Sequence, residues 1–208
     1  MEFEAYLDAL ASADPTPGGG SAATLVGALA AALCAMVARI TLDSPKVAHV
    51  HAEAAAIVRA ADDLRRRVIE MRPADEAAFG AVVAAQALPR ATDAEKRLRR
   101  ERVQSALAGA AEAPLEAAQL ATAAFALAAR TAELHNANLM SDVDCALRFA
   151  RASFDASVAN VEVNHRYITD PALVTQQRER LATLAHAARD SEARSTRVIE
   201  SVGARNAP

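Results

Sequence analysis

The sequence predicts an all-α protein, a multihelical bundle of about seven to eight helices around a buried central helix. Three observations support this fold class. Hydrophobic residues make up 52% of the 208 positions, yet aromatic residues make up only 3% and tryptophan is absent. The apolar content is therefore mainly alanine, leucine and valine, which suits close-packed helices better than sheets. Apolar residues also recur at helical spacing in one segment after another, and prolines separate these segments.

The first two predicted helices lie on either side of a rigid loop. Residues 2–12 carry apolar side chains at helical spacing, and the two prolines of segment 14–17 stop that helix. A second helix is predicted from about residue 20 to residue 42. Its middle part is uncharged and rich in alanine, so we expect neighbouring helices to bury it on all sides. Its large apolar residues form one stripe: Leu25, Leu29, Leu33, Met36 and Ile40.

Prolines divide the next part of the chain into two predicted helices. The third helix spans residues 46–71 and ends at Pro73, and the fourth spans residues 74–87. Asp75 falls in the first turn of this fourth helix, where a carboxylate suits the positive end of the helix dipole. Pro89 marks the break that follows.

The second half of the chain shows clear helix-start signals. Thr92 and Glu95 form a capping-box pattern that opens a long charged helix to about residue 112. Pro114 either kinks that helix or begins another one, which continues to residue 134. Ser141 is the predicted N-cap of a helix that reaches residue 165. The turn at Pro171 leads into a final helix that ends near residue 202.

Charge and cysteine content narrow the classes of function. The 23 basic and 26 acidic residues give a net charge of -3 and are spread along the chain, so we expect no nucleic-acid partner. Cys34 and Cys145 lie in separate helical patterns, which predicts neither a disulfide nor a zinc site and fits a reducing cytoplasm. No two histidines are four residues apart, so no helical metal site is predicted. The apolar run 22–38 is short for a membrane span, and we expect a single domain over residues 1–208 without a membrane partner.

The loop formed by Pro17, Gly18, Gly19, Gly20 and Ser21 is the most informative segment. Three glycines directly before a helix leave backbone N–H groups bare at its positive end, where a carbonyl, carboxylate or phosphate oxygen could bind. The alternative is a sharp corner beside a crowded central helix, and spacing alone leaves both explanations open. The loop is neither a Walker motif nor a dinucleotide fingerprint, because the required lysine and the preceding strand are missing.

The segment that begins at Asp14 with DPTPGGGSAATLVG resembles the opening signature of the formiminotransferase-cyclodeaminase C-terminal family. Three later blocks agree with this family in the same order. They comprise residues 75–79, residues 88–92 followed by 113–115, and residues 136–142 followed by 160–164. The resemblance therefore covers nearly the whole chain.

The resemblance implies an all-helical homodimer that acts on a tetrahydrofolate derivative without a metal or a tightly bound cofactor. A cyclodeaminase of this family closes 5-formiminotetrahydrofolate to the 5,10-methenyl compound and releases ammonia. A cyclohydrolase adds water to the methenyl carbon and yields 10-formyltetrahydrofolate. Both reactions pass through a tetrahedral carbon between two nitrogens, so a partly buried carboxylate of raised pKa and a few amide or hydroxyl groups suffice.

Two carboxylates lie in the matched blocks, Asp75 and Asp142. Each is a candidate for the general acid/base or for a group that binds the donors of the pterin ring. Each also has a structural explanation, since both fall where helix dipoles attract acidic residues. We expect Asp142 to act near the reaction centre because it follows the loop at Asn136, which is itself a candidate ligand contact. We expect Asp75 to orient the ligand or a partner side chain.

Asn160 and Asn164 form an unusual polar face one helical turn apart, continuing from Ser153 and Ser157. They are candidates for ligand binding or for a polar dimer seam, and the alternative is that they bond to carbonyls of a neighbouring helix. Asn160 shares a helical face with Asp142 but lies about 27 Å away along the axis. One reaction centre can therefore use both only if a dimer mate brings them together.

The sequence departs from the family pattern after the central helix. Family members commonly carry a Gly-Lys-Lys-Lys-Tyr cluster there, whereas residues 42–49 contain Lys46 as their one lysine and no tyrosine. Lys46 is the candidate ligand-binding cation, with Arg39 as a possible helper, and both are equally explained as solvated surface charges. His135 occupies a position where family members often have glycine.

Three functions follow from these features. The leading hypothesis is methenyltetrahydrofolate cyclohydrolase activity, because no formiminotransferase segment accompanies this one. The first alternative is formiminotetrahydrofolate cyclodeaminase activity, which would use the same site. The second is a helical paralogue that binds a pterin or folate through its glycine loop without performing chemistry.

Overall fold

The described part of the chain folds into six α-helices. The computed structural model describes residues 3–205, apart from the side chains of Arg72, Asp75 and Arg205. None of these described residues lies in a strand, so the all-α class is confirmed. The helices are α1 (Phe3–Leu10), α2 (Gly19–Leu42), α3 (His51–Gln86), α4 (Asp93–Ala132), α5 (Met140–His165) and α6 (Pro171–Arg205). Two short 3₁₀ helices, Pro45–Val50 and Ala137–Leu139, precede α3 and α5.

The core lies where α2, α3, α4 and α5 pack together, and α6 covers the outer side of α4 and α5. Small residues of α2, many of them alanines, are buried against larger side chains such as Ile57 of α3 and Leu115 of α4. Phe125 and Phe154 meet edge-on, with ring centroids 6.5 Å apart. Because alanine keeps helix axes close, few aromatic rings are needed to fill this core.

The predicted count of seven to eight helices was too high, because two prolines do not end their helices. Pro73 lies inside the continuous helix α3, and Pro114 lies inside the continuous helix α4. An internal proline costs about 3 kcal/mol through a lost hydrogen bond and a steric clash. Buried residues pack on both sides of each proline, for example Leu107 and Leu115 in α4, and this packing offsets the cost.

One of the two N-caps predicted for α4 and α5 is confirmed, and the other was wrong. The capping box is confirmed: the backbone N–H of Glu95 donates to Thr92 Oγ1 at 3.2 Å, and Glu95 Oε2 accepts from the Thr92 backbone N–H at 2.8 Å. The hydrogen bonds that the Glu95 carboxylate accepts, led by that from the Thr92 backbone N–H and joined by that from Ala91, hold its pKa below the usual value. The predicted cap at Ser141 was wrong, because α5 begins at Met140 and its N-cap position, Leu139, provides no side-chain hydrogen bond.

The backbone of His135 adopts a conformation that glycine enters more readily than other residues. His135 has a φ of 52°, in the left-handed region that glycine enters without steric cost. Its N–H donates to the carbonyl of Ala132, the last residue of α4, and so closes the helix end. The constraint at this position is therefore conformational, and the imidazole is exposed.

The prediction that α2 is buried on all sides was wrong for one face. Leu29 is 44% exposed and Ile40 is 45% exposed, and the other residues of the predicted stripe are half-buried. The opposite faces carry the small buried residues, since α3, α4 and α5 leave one side of α2 uncovered. By length and apolar composition α2 also passes a simple test for a membrane span, a test that core helices of globular proteins pass as well.

α2 and α5 pack tightly at Gly27. A Cβ added at this position would lie 2.8 Å from Ser153 Oγ, which is closer than real Cβ contacts allow. Gly27→Ala is therefore expected to destabilise the protein by about 1–3 kcal/mol through overpacking, measured as a lower midpoint of urea unfolding. Adding Ser153→Ala to this variant removes the clashing oxygen and should recover most of the loss. A Gly27→Ala variant with the parent midpoint would contradict the close crossing.

Candidate functional site

A cavity of about 600 Å³ opens where the N-terminus of α2 meets the α3–α4 hairpin and the end of α5. Its size falls within the range of small-molecule sites. No carboxylate, amine or imidazole is among the described residues that line it. These residues are Pro15, Thr16, Gly18, Gly19, Gly20, Ala78, Phe79, Val82, Gln86, Val103, Gln104, Leu107, Ala110, Pro114, Asn160, Val163, Asn164 and Tyr167.

The glycine loop forms one wall of this cavity. Gly18 occupies the N-cap position of α2 in an extended conformation and provides no side-chain hydrogen bond. A Cβ at Gly19 would meet Asn160 Nδ2 at 3.8 Å, an ordinary van der Waals distance, and no described glycine has a positive φ. Neither backbone conformation nor neighbouring atoms therefore require glycine at position 19. A side chain there would instead occupy space beside the cavity, which disfavours the explanation of the loop as a mere corner.

Asn160 and Asn164 form the wall opposite the loop. Asn164 Nδ2 donates to the carbonyls of Ala110 in α4 and Asn160 in α5, at 3.2 and 3.0 Å. Asn160 Nδ2 donates to the carbonyl of Ala156 at 2.8 Å. The alternative of a bond to a carbonyl of a neighbouring helix is therefore confirmed for Asn164 and wrong for Asn160, which bonds within α5, and both amides also line the cavity. Because neither Oδ1 atom accepts a hydrogen bond from a described residue, two amide oxygens are available to a ligand.

Gln104 and Tyr167 form a third wall that the sequence did not reveal. Gln104 Nε2 donates to the Tyr167 carbonyl at 3.0 Å, and its Oε1 accepts from the N–H and hydroxyl of Thr169 at 2.8 and 3.0 Å. This one amide therefore holds the connection between α5 and α6 against α4. Tyr167 is 63% exposed and Phe79 is 44% exposed, although the chain contains only seven aromatic residues. The sequence carried no signal for Gln104 or Tyr167, because side-chain exposure and long-range contacts are properties of the folded chain.

A second group of predicted site residues lies at the other end of α2. Asn136 Nδ2 donates to the hydroxyl of Thr41, in the last turn of α2, at 3.2 Å. Asp142 is half-buried in the first turn of α5, and Lys46 is exposed in the preceding 3₁₀ helix Pro45–Val50. Since α2 has 24 residues, its two ends are about 36 Å apart. The cavity and this second group are therefore separate within one chain.

Comparison with known proteins identifies the family. Residues 2–183 match the family described as formiminotransferase-cyclodeaminase. The chain belongs to this family. The resemblance based on the glycine loop and the three later blocks is thereby confirmed.

Individual relatives cover the chain to different extents. A methenyltetrahydrofolate cyclohydrolase of Methylorubrum extorquens is 36% identical over 96% of this chain and 95% of the relative. The formimidoyltransferase-cyclodeaminase of Rattus norvegicus is 26% identical over 92% of this chain, which spans only 35% of that longer protein. The crystal structure of a formiminotetrahydrofolate cyclodeaminase from Thermotoga maritima superposes with a TM-score of 0.86 at 27% identity, covering 97% of each chain.

Two residues at the borders of the family's glycine loop do not line the cavity. Pro17 is half-buried, and Ser21 is fully buried. The Ser21 hydroxyl lies 3.2 Å from the hydroxyl of Tyr6 and so joins α1 to the start of α2. Ser21 therefore has a clear structural role. Direct contact of either residue with a ligand stays a prediction.

The structure changes the interpretation of Asp75 in the first matched block. Asp75 lies inside α3, one helical turn before the cavity residues Ala78 and Phe79, and its side chain lies outside the described residues. The predicted helix start at residue 74 was wrong, so the helix-dipole explanation for this carboxylate no longer applies. Its role toward a ligand stays a prediction.

Few charges lie around Lys46, in the segment where the resemblance led us to expect a basic cluster. Lys46 is exposed. Arg39 forms an ion pair with Asp62 of α3 at 2.5 Å, and Asp62 also pairs with Arg65. This pairing gives Arg39 a structural partner within the chain, so the ionic role proposed for it beside Lys46 lacks geometric support.

Proposed function

We propose that the chain is a methenyltetrahydrofolate cyclohydrolase, which converts 5,10-methenyltetrahydrofolate and water to 10-formyltetrahydrofolate. The observation that carries this proposal is the end-to-end match with the Methylorubrum cyclohydrolase, at 36% identity over 96% of the chain. The bifunctional cyclodeaminases match at lower identity, 24–27%. The protein is accordingly an enzyme that acts on a tetrahydrofolate derivative.

The cavity provides the binding chemistry that a pterin needs. The pyrimidine part of a pterin is flat and uncharged and carries both hydrogen-bond donors and acceptors along one edge. The Oδ1 atoms of Asn160 and Asn164 can accept from its donors, and the first-turn N–H groups of α2 can donate to its carbonyl. Phe79 and Tyr167 present exposed rings to the same cavity. We therefore place the pterin ring between the glycine loop and the asparagines.

The reaction itself requires proton transfer. Water attacks the electrophilic methenyl carbon and loses a proton to a general base, which leaves a tetrahedral carbon between N5 and N10. The bond from this carbon to N5 then breaks and N5 takes up a proton. The proton that remains on the hydroxyl oxygen leaves as the N10-formyl group forms. A single carboxylate can serve both transfers to and from the reacting atoms. We assign this role to Asp142.

Asp142 reaches the cavity only if a second chain contributes it. We propose a homodimer in which the exposed stripe of α2, which includes Leu29 and Ile40, packs against the same stripe of its partner. A two-fold axis perpendicular to α2 makes the paired helices antiparallel. The end of one α2 then lies beside the glycine loop of the other. This arrangement brings a partner's Asn136 and Asp142 toward each cavity, and burial of the stripe supplies a hydrophobic driving force.

The product distinguishes the proposed reaction from its alternatives. With 5-formiminotetrahydrofolate as substrate, we expect no ammonia above the rate without protein, because the proposed enzyme is a hydrolase of the methenyl compound. With 5,10-methenyltetrahydrofolate, chromatography should identify 10-formyltetrahydrofolate as the product. Ammonia release at a comparable catalytic rate would indicate a cyclodeaminase instead. Folate binding without turnover of either compound would indicate the non-catalytic paralogue.

The remaining expectations of the sequence stay predictions. They are the cytoplasmic location, the absence of nucleic-acid and membrane partners, and catalysis without a metal.

Cys34 and Cys145 are both free thiols, and burial raises the pKa of Cys34 to about 12. The Cys34 thiol is therefore un-ionised at neutral pH and serves packing rather than chemistry.

A further inference from the structure

Asn136 is held at the start of the 3₁₀ helix before α5 by contacts on both sides of its backbone. The preceding residue, His135, turns the chain away from α4 with a φ of 52°. The Asn136 backbone is then extended, and its carbonyl accepts a hydrogen bond from the N–H of Leu139 at 3.0 Å. The backbone is thus fixed, and rotation of the side chain about χ1 and χ2 is the remaining freedom of this residue.

The hydroxyl of Thr41 determines which atom of the Asn136 amide faces α2. Thr41 is fully buried in the last turn of α2, and its Oγ1 donates to the Val37 carbonyl at 2.8 Å. A carbonyl can only accept, so the single hydroxyl proton of Thr41 is committed to Val37. Oγ1 can therefore only accept from Asn136, whose Nδ2 donates to it at 3.2 Å. The reverse orientation of the amide would place two acceptors against each other.

This arrangement leaves the Oδ1 atom of Asn136 on the side of the amide away from Thr41. Asn136 is half-buried, and none of the residues that the structure describes donates a hydrogen bond to its Oδ1. Asp142, the proposed general base, lies in the first turn of α5. The short helix Ala137–Leu139 and the start of α5 separate the two residues. An amide oxygen and a carboxylate, both hydrogen-bond acceptors, therefore lie at the same end of α5.

Two acceptors suit the water molecule that attacks the methenyl carbon. This water must aim a lone pair at the carbon, so both of its protons must point elsewhere. One proton can be donated to the Asn136 Oδ1. The other passes to Asp142 as the O–C bond forms, while the π electrons of the C–N double bond move to nitrogen. An amide turned the other way would present N–H groups, which bind the lone pair of the water instead of its proton.

We infer that Thr41 is a positioning residue for the reaction, because its hydroxyl directs the Oδ1 of Asn136 toward the attacking water. This inference rests on the proposed function and on the assignment of Asp142 as the general base. The orientation of the amide matters when water attacks, whereas the pterin is bound by the glycine loop and the asparagines of α5. Loss of the Thr41 hydroxyl should therefore lower kcat and leave KM nearly unchanged.

Thr41→Val tests the role of the hydroxyl, since valine has nearly the same shape and cannot accept a hydrogen bond. With 5,10-methenyltetrahydrofolate as substrate, we expect kcat to fall about tenfold, because one hydrogen bond no longer orients the amide. Thr41→Ser keeps the hydroxyl and should recover most of the parent kcat. Serine leaves a small void in this buried position, so Thr41→Ser should unfold at a lower urea concentration than Thr41→Val. A purely structural role would instead make kcat follow stability, and that order would overturn the inference.

A double-mutant cycle tests whether Thr41 acts through Asn136. Asn136→Ala should lower kcat at least as much as Thr41→Val, because it removes Oδ1 altogether. Adding Thr41→Val to Asn136→Ala should then cause no further loss, since no amide remains to be oriented. Losses that multiply in the double variant would overturn the inference.

Thr122→Val is the matched control for removal of a buried hydroxyl. Thr122 lies in α4, and its hydroxyl donates to the carbonyl of Ala118 in the same helix at 2.9 Å. This variant should keep the parent kcat. A tenfold loss in the control as well would show that kcat responds to any lost helix hydroxyl, and the inference would be wrong.

A measurement without turnover separates this inference from the proposed function. Hydrogen exchange of the Asn136 side-chain NH₂ group, followed by NMR, should be slower in the parent and in Thr41→Ser than in Thr41→Val, because the hydroxyl accepts one of these N–H groups. Equal exchange in all three proteins would overturn the inference, as would a parent kcat in Thr41→Val. Both results leave cyclohydrolase activity intact, whereas a parent protein without turnover of the methenyl compound would overturn both proposals.

Discussion

Gly19→Val is expected to abolish folate binding with little loss of helix content. The Cβ of residue 19 would lie at van der Waals distance from Asn160 Nδ2, so the branched methyl groups must extend into the cavity where loop and ligand meet. Since no described glycine has a positive φ, the substitution does not force a strained backbone. Titration with pteroylglutamate, together with circular dichroism, measures both quantities.

The control for this variant is the same substitution in open space. A Cβ at Gly203 of α6 meets no atom within 4 Å, so Gly203→Val should leave binding unchanged. If Gly19→Val instead unfolds the protein while the folded fraction still binds the ligand, the loop serves only as a corner before the central helix. The proposed position of the pterin ring would then be wrong.

Asp142→Asn is expected to lower kcat by about a hundredfold or more while leaving KM nearly unchanged. The amide keeps the shape of the carboxyl group and removes the titrating proton, so an effect confined to kcat reports on proton transfer in the transition state. Asp75→Asn is the matched comparison and should mainly raise KM, because we expect Asp75 to orient the ligand. Steady-state kinetics of both variants tests this assignment. A lower kcat in Asp75→Asn together with a parent kcat in Asp142→Asn would reverse it.

Mixing two inactive variants tests whether the site is shared. By the proposed assignment, a Gly19→Val chain lacks a functional cavity and an Asp142→Asn chain lacks the general base. If the base acts across the dimer, a mixed dimer contains one site with neither substitution. Random reassociation of equal amounts should then restore about a quarter of the parent activity. No recovery in demonstrably mixed dimers would show that both residues act within one chain.

Local signals predicted much of the fold. The capping box at Thr92, the break at Pro89 and the start of the last helix at Pro171 were all readable, because each depends on short-range backbone chemistry. Pro73 and Pro114 misled the prediction, since long-range packing on both sides of each proline decides whether the helix continues. The exposure of the α2 stripe was likewise not predicted, because apolar residues have the same spacing on a buried and on an exposed helix face.

The parts of the candidate site that belong to a sequence motif were predictable, and the parts that depend on tertiary contacts were not. The glycine loop and the pair Asn160 and Asn164 were identified from the sequence and line one cavity. Gln104 looks like an ordinary polar residue on a charged helix, and its role depends on contacts with residues more than sixty positions away. The separation of Asp142 from Asn160 followed from helix length alone, whereas only the structure shows that the glycine loop lies at the Asn160 end of α5.

Decay of the 5,10-methenyltetrahydrofolate absorbance tests the proposed function most directly. The assay uses a buffer that minimises spontaneous hydrolysis and compares the parent protein, the Gly19→Val variant and buffer alone. Cyclohydrolase activity predicts a decay in the parent well above that in buffer, proportional to enzyme concentration and lost in Gly19→Val. A decay in the parent equal to that in buffer, for a folded protein that still binds folate, would contradict the proposed function.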